Sequence, residues 1–114
     1  MSTLRNKVNL IGRLGIQPEV KTLDNGYAVA RVSVATNERF KDKSGEWKDN
    51  TQWHNVVVWG KLAEKLAKHA QKGNEIAIEG KLVNKQYTSK SGEKRYSTDI
   101  EASDFILLTP NTGK

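Results

Sequence analysis

Cysteine is absent from the 114 residues. Disulfides, thiolate metal sites, iron–sulfur clusters and a thiol nucleophile are therefore excluded, and the composition fits a reducing compartment. Only two histidines occur, His54 and His69, and two isolated imidazoles cannot build an all-histidine zinc site. No stretch approaches the roughly 20 apolar residues of a membrane span; the hydrophobic fraction is 36% and the mean hydropathy −0.69. The N-terminal residues Met1 to Lys7 contain no apolar core of a secretion signal. P-loop, His-Glu-x-x-His and Gly-x-Ser-x-Gly patterns are all missing. What remains is the expectation of a soluble, intracellular, non-enzymatic chain, long enough for one domain that buries about two thirds of its unfolded surface.

Charge is present in excess of one sign. The chain carries 19 Lys and Arg against 13 Asp and Glu, a net charge of +6. Residues 1–60 hold nine basic and six acidic side chains and residues 61–114 ten and seven, so each half contributes +3. An excess spread this evenly belongs to a folded surface rather than to a basic tail, and it attracts polyanions mildly.

The hydrophobic periodicity is mostly that of strands. Val8 and Leu10 open an alternating segment that breaks at Gly12-Arg13-Leu14-Gly15 and Pro18. Val20 to Leu23 is a short extended piece, Asp24-Asn25-Gly26 suits a hairpin turn, and Tyr27 to Asn37 continues as a long strand. Its Ala28, Ala30, Val32 and Val34 share a face. Glu38 to Thr51 is polar and contains glycine, which predicts a mobile hairpin arm carrying Phe40 and Trp47. Gln52 to Trp59 is rich in Val and Trp and predicts the next strand. Leu62, Ala63, Leu66, Ala67 and Ala70 then recur at helical spacing, with Gly73 placed to end the helix. Ile76 to Tyr87 and Tyr96 to Leu108 complete the pattern as strands joined by a Ser-Lys-Ser-Gly turn. Five strands with one short helix between the third and fourth is the element order of an all-β OB-fold, a five-stranded Greek-key barrel. The expected domain is 1–108, with 109–114 a flexible C-terminal end.

Residues of equal parity on a strand share a face, so Trp53 and Trp59 point the same way with Asn55 and Val57 between them, opposite His54, Val56 and Val58. Tyr87 shares parity with Lys81, Val83 and Lys85, while Ile76, Ile78 and Leu82 take the other side. If the apolar faces fill the barrel, its outer surface shows aromatic rings interleaved with lysines. Such a surface suits unpaired nucleic acid, because rings stack on base faces at about 1–3 kcal/mol per base while ammonium groups follow the phosphates. The competing reading places both tryptophans in the core, since Trp is highly buried on average. The titratable residues make a poor catalytic set. His54 reads as a core or subunit contact, His69 as a solvated helix residue, and Asp42, Glu46 and Asp49 as loop solvation.

The chain resembles the bacterial single-stranded DNA-binding proteins of replication and repair. The resemblance runs through Asn6-Lys7-Val8, Gly12-Arg13-Leu14-Gly15, Pro18-Glu19, Asn25-Gly26, Ala35-Thr36-Asn37-Glu38 and Lys72-Gly73. It is most specific in the run from Trp53 to Glu64 and in Ile78-Glu79-Gly80-Lys81-Leu82. It implies a cytoplasmic, nucleoid-associated homotetramer of OB-folds that wraps single-stranded DNA with little sequence preference and protects it during replication, recombination and repair. It implies neither catalysis nor a cofactor or metal. The family's base-stacking positions fall on Phe40, Trp53, Trp59 and Tyr87, its DNA-contacting basic positions on Lys43, Lys61, Lys72 and Lys85, and a subunit-interface position on His54. Trp59 stands where phenylalanine is frequent, and Phe40 and Tyr87 where tryptophan is frequent; Trp47 is an additional loop aromatic for which two readings stay open, stacking on DNA and packing on the arm. Family members usually continue into a flexible tail with an acidic tip that recruits partner proteins. This sequence stops at Pro110-Asn111-Thr112-Gly113-Lys114, so it is expected to be either cut to its DNA-binding domain or naturally tailless, and tail-mediated partners are not supported. Two other readings use the same residues: an OB-fold accessory or RNA-binding module, and an interaction module whose exposed aromatics meet a protein partner.

Overall fold

A computed structural model describes residues 3–108; the segment 109–114, expected to be flexible, lies outside the described residues. After a 3₁₀ turn at Thr3–Arg5 come β1 (Val8–Leu14), β2 (Val20–Thr22), β3 (Ala28–Lys41) and β4 (Trp47–Trp59). The helix α1 (Gly60–His69) precedes β5 (Glu75–Thr88) and β6 (Lys94–Leu107). Counting Val20–Thr22 as its own strand puts the helix between the fourth and fifth strands rather than the third and fourth. The five long strands are those expected.

The sheet order is β1-β5-β6-β4-β3-β2, and β1 returns to pair with β3 through Arg13 opposite Ala35 and Leu14 opposite Val34. That return closes β1, β5, β6, β4 and β3 into the five-stranded barrel of an OB-fold. All pairings are antiparallel except a short parallel contact of β4 with β6, with Val56 opposite Ile100 and Val57 opposite Glu101. Closing so small a barrel brings backbones very close. A Cβ at Gly12 would land on the Ala35 carbonyl, and one at Gly80 on the Glu101 carbonyl, so glycine is required by space alone at both crossings.

The interior is filled by Val32, Val34, Val56, Val58, Ile76, Ile78 and Ile100, whose alternation along each strand is the pattern read from the sequence. α1 lies against β2, β3 and β4 and buries Ala63 and Leu66 at the barrel end. No helix among the described residues is long and apolar enough to cross a membrane.

Three expectations need correction. The hairpin arm expected over Glu38 to Thr51 is present, but its residues are strand rather than loop: β3 and β4 pair without interruption out to Lys41 opposite Trp47, with a turn only at 42–46. Polar and charged residues dominate its cross-strand pairs, with Phe40 opposite Lys48 and Trp47 opposite Lys41, so no hydrophobic alternation marks the strands. Gly73 has a positive φ of 91°, but the helix already ends at His69 with Ala70 extended. The glycine instead serves a turn in which the Asn74 N–H donates to the Gln71 carbonyl at 3.0 Å. Leu82 is 47% exposed rather than interior. The ladder between β5 and β6 shifts register at Glu79/Gly80, and the pairing of β5 with β1 ends at Gly80 opposite Val8, so beyond that point alternation no longer implies burial.

Candidate nucleic-acid interface

Residues directly opposite in a ladder share a face. Across β3 and β4 this pairs Arg31 with Val57, Ser33 with Asn55, and Ala35 with Trp53. The parallel contact carries the face onward from Val57 to Glu101. Across β6 and β5 it continues as Glu101 with Lys81, Asp99 with Val83, Ser97 with Lys85, and Arg95 with Tyr87. Trp53, Trp59, Tyr87, Lys81 and Lys85, widely separated in sequence, therefore stand on one outer face of the barrel. Trp53 is 63% exposed, Tyr87 54% and Trp59 37%, so none of the three rings is a core side chain. Beside Tyr87 lies a groove of 380 Å³ lined also by Arg31, Ser33, Asn55, Ser97 and Asp99, together with buried Val57.

Trp53 is seated by its neighbours. Its ring edge lies against Gly15, where a Cβ would come within 2.5 Å of Cζ3 and 2.7 Å of the Ser33 hydroxyl. Glycine at that position leaves room for the ring beside the end of β1.

The other expected residues are more dispersed. Phe40 is a strand residue opposite Lys48, of the parity opposite to Trp53, so the pleat turns it to the other side of the ribbon. Lys43 is exposed in the turn at the arm's tip. Lys61 is exposed in the first turn of α1. Lys72 lies beyond the helix, where its backbone N–H donates to the Gln17 side-chain oxygen at 3.1 Å. The following Gly73 N–H donates to the Leu14 carbonyl at 2.8 Å, which ties that turn to the strand end beside Gly15. His54 faces away from the tryptophans, half-buried, with Nε2 3.0 Å from the Thr36 hydroxyl.

The face is less purely basic than parity suggested. Lys81 sits 3.8 Å from Glu101 and Lys85 3.9 Å from Asp99, and Asp99 is only 8% exposed. Both lysines retain exposed ammonium groups able to reach an anion. Two arginines join the face unannounced. Arg31 lines the groove without a carboxylate partner among the described residues. Arg13, opposite Ala35, donates to the Gly73 carbonyl at 3.1 Å. The signal for Arg31 was its parity opposite Ala30 and Val32; placing it beside Asn55 and Tyr87 needed the cross-strand register. At the arm's tip the Asp42 carboxylate accepts from the Ser44 hydroxyl at 2.7 Å and from the Glu46 N–H at 2.9 Å, with Lys48 3.4 Å away. These bonds, led by that from Ser44, hold its carboxyl below the ordinary value of 3.8.

Among the described residues no group of three His, Asp or Glu side chains is placed to hold a metal ion. The arrangement offers flat rings, the Arg31 guanidinium, two exposed lysine ammonium groups and a groove beside Tyr87, which is chemistry for holding a flexible polyanion with exposed aromatic faces.

A Plasmodium falciparum single-stranded DNA-binding protein, solved in complex with single-stranded DNA, superposes with a TM-score of 0.83 at 34% identity, over 90% of this chain and 94% of that one. A deletion mutant of the single-stranded DNA-binding protein from Thermus aquaticus superposes with a TM-score of 0.81 at 30% identity; the match covers 96% of this chain and 52% of that one. The profile of the single-strand binding protein family matches residues 5–108. The chain belongs to the single-strand binding protein family.

Proposed function

We propose that this chain binds single-stranded DNA with little sequence preference, by stacking bases on Trp53, Trp59 and Tyr87 while Lys81, Lys85 and Arg31 neutralise phosphates. The observation that carries this is the single outer face on which the ladders of β3, β4, β6 and β5 gather those rings and cations. Duplex DNA hides its base faces, so exposed rings favour unpaired strands, and every base offers a π-face, so the preference for sequence is weak. Lys43, Lys61 and Lys72 extend the cationic path around the barrel, and Phe40 offers a ring on the reverse of the ribbon. The family is a non-catalytic binding family; the proposed role is protection of exposed strands during replication, recombination and repair, in the cytoplasm at the nucleoid, by a domain spanning 1–108.

Assembly into a homotetramer belongs to the same reading. Ile11 and Ile106, 62% and 64% exposed, stand in one cross-strand row with Ala77 between them on the outer face of β1, β5 and β6. They border a 260 Å³ depression. An apolar row of this kind on a monomer's surface marks a contact, and a second copy supplies matching apolar surface by symmetry. His54 is the second proposed contact. Sedimentation of the parent and of Ile106→Glu tests this: the parent sediments as a tetramer and the variant as a smaller species.

The binding itself is tested by titration with oligo-dT and with a duplex of equal length, followed by intrinsic tryptophan fluorescence at low and moderate salt. Strong quenching by oligo-dT and little by duplex is expected. Silence toward both would leave the aromatic face to a protein partner.

A further inference from the structure

We propose that Trp47, with Arg39 and Lys41, forms an outlying stacking site for one unpaired base and its flanking phosphates at the far end of the β3–β4 ribbon. This rests on the reading of the Trp53 face as a single-strand-binding surface, and it lengthens that surface beyond the barrel.

β4 is continuous from Trp47 to Trp59, and its ladder with β3 runs without a break from Val29 opposite Trp59 to Lys41 opposite Trp47. Trp47, Trp53 and Trp59 are thus spaced by six residues each and share parity, so all three rings leave β4 on the same side of the pleat. Each step is about 20 Å along the strand. A two-stranded ribbon twists strongly, so the outer ring is rotated relative to the inner two and a bound strand would wind around the arm as it passes outward.

The ring is 61% exposed. Cations attend it: the Arg39 guanidinium carbon lies 5.6 Å from the ring centroid and the Lys41 ammonium 5.9 Å. Arg39 is bridged to Asp49 at 3.5 Å, both side chains being largely exposed, and such pairs yield readily to a competing anion. Lys41 has no carboxylate partner among the described residues. A base stacking on the indole face displaces a cation only onto the phosphates that the same base brings, so stacking and charge neutralisation are gained together. Phe40, on the reverse side, has no cation over its ring among the described residues.

The test uses four variants of the full chain. In Trp53→Phe/Trp59→Phe the only tryptophan is Trp47, and its fluorescence is followed on titration with oligo-dT of increasing length. In parallel, Trp47→Ala, Trp47→Phe and Trp53→Ala are titrated with a short oligo-dT of about 5 nucleotides, near the lower end of the footprint of one OB-fold, and with long oligo-dT. Loss of one stacked base weakens binding about 5- to 150-fold, the equivalent of about 1–3 kcal/mol. We expect Trp47→Ala to lose that much on long oligo-dT and nothing on the short one, Trp47→Phe to recover most of it, and long oligo-dT to quench the lone Trp47. If Trp47→Ala binds every length like the parent while Trp53→Ala is weakened, Trp47 only clips the arm and the proposal falls with the main reading intact. If Trp53→Ala is equally unaffected, both fall. Should Trp47→Ala fail to fold by circular dichroism, quenching of the lone Trp47 in the phenylalanine variant decides: its absence on long oligo-dT overturns the proposal.

Discussion

Gly15→Ala tests the seat of Trp53 without removing any aromatic or charged group. The added Cβ would stand 2.5 Å from Cζ3 of Trp53 and 2.7 Å from the Ser33 hydroxyl. Both are side-chain atoms, so the backbone can stay and the ring, which is largely exposed, must retreat by about 1 Å to regain ordinary contact. Gly15 has no positive φ, so alanine is conformationally acceptable and restricts the unfolded chain, which offsets about 0.4–1 kcal/mol. Overpacking costs about 1–3 kcal/mol in a closed core and belongs at the low end here. Net stability should therefore change by no more than about 1 kcal/mol, while part of the roughly 1–3 kcal/mol of one stacked base is lost. Fluorescence titration with oligo-dT at fixed salt, beside Trp53→Ala as the limit, is the assay, and urea unfolding is the control. Affinity between parent and Trp53→Ala with a near-parental unfolding midpoint is the expected result. Parental affinity for Gly15→Ala beside a weakened Trp53→Ala would show that Gly15 does not position the ring. Global unfolding of Gly15→Ala would show that the Trp53 seat is part of the core.

Gly80→Ala should behave differently, because the Cβ meets the Glu101 carbonyl, a backbone atom in a closed barrel; a loss of about 1–3 kcal/mol or more is expected in urea unfolding, and a parental midpoint would refute the close-crossing argument. Lys85→Ala should reduce the slope of log K against log salt by about 0.7, the value for one phosphate on a single strand; an unchanged slope would mean that Lys85 serves only Asp99. The Asp42 carboxyl should titrate below 3.8, its Ser44 bond being the leading cause. Since its folded value is depressed, its support of the arm's turn is complete above the unfolded value and is lost as pH falls through the folded one. Carboxyl NMR shifts with pH measure this directly, and a midpoint at or above 3.8 would contradict the turn geometry.

How far the sequence reaches is shown residue by residue. Alternation placed Trp53 and Trp59 opposite Val56 and Val58 correctly, because side-chain direction on a strand is a local property with a period of two. The one helix and the order of the long strands were legible for the same reason, as changes of period between 2 and 3.6. The arm from Glu38 to Thr51 was legible as a hairpin but not as paired strands, since main-chain ladders and mostly polar cross-strand pairs leave no hydrophobic trace. Leu82 was misplaced because a bulge at Glu79/Gly80 and the end of the barrel interrupt a rule that assumes an uninterrupted sheet.

The sequence by itself thus determined which residues could stack and which could fill a core. Only the tertiary structure decided which of them meet. Arg31 and Asp99 enter the groove beside Tyr87, and Gly15 makes room for Trp53. Each of these depends on the register between strands distant in the chain. Such register is set jointly by barrel closure, glycine crossings and a bulge, and no local pattern encodes it.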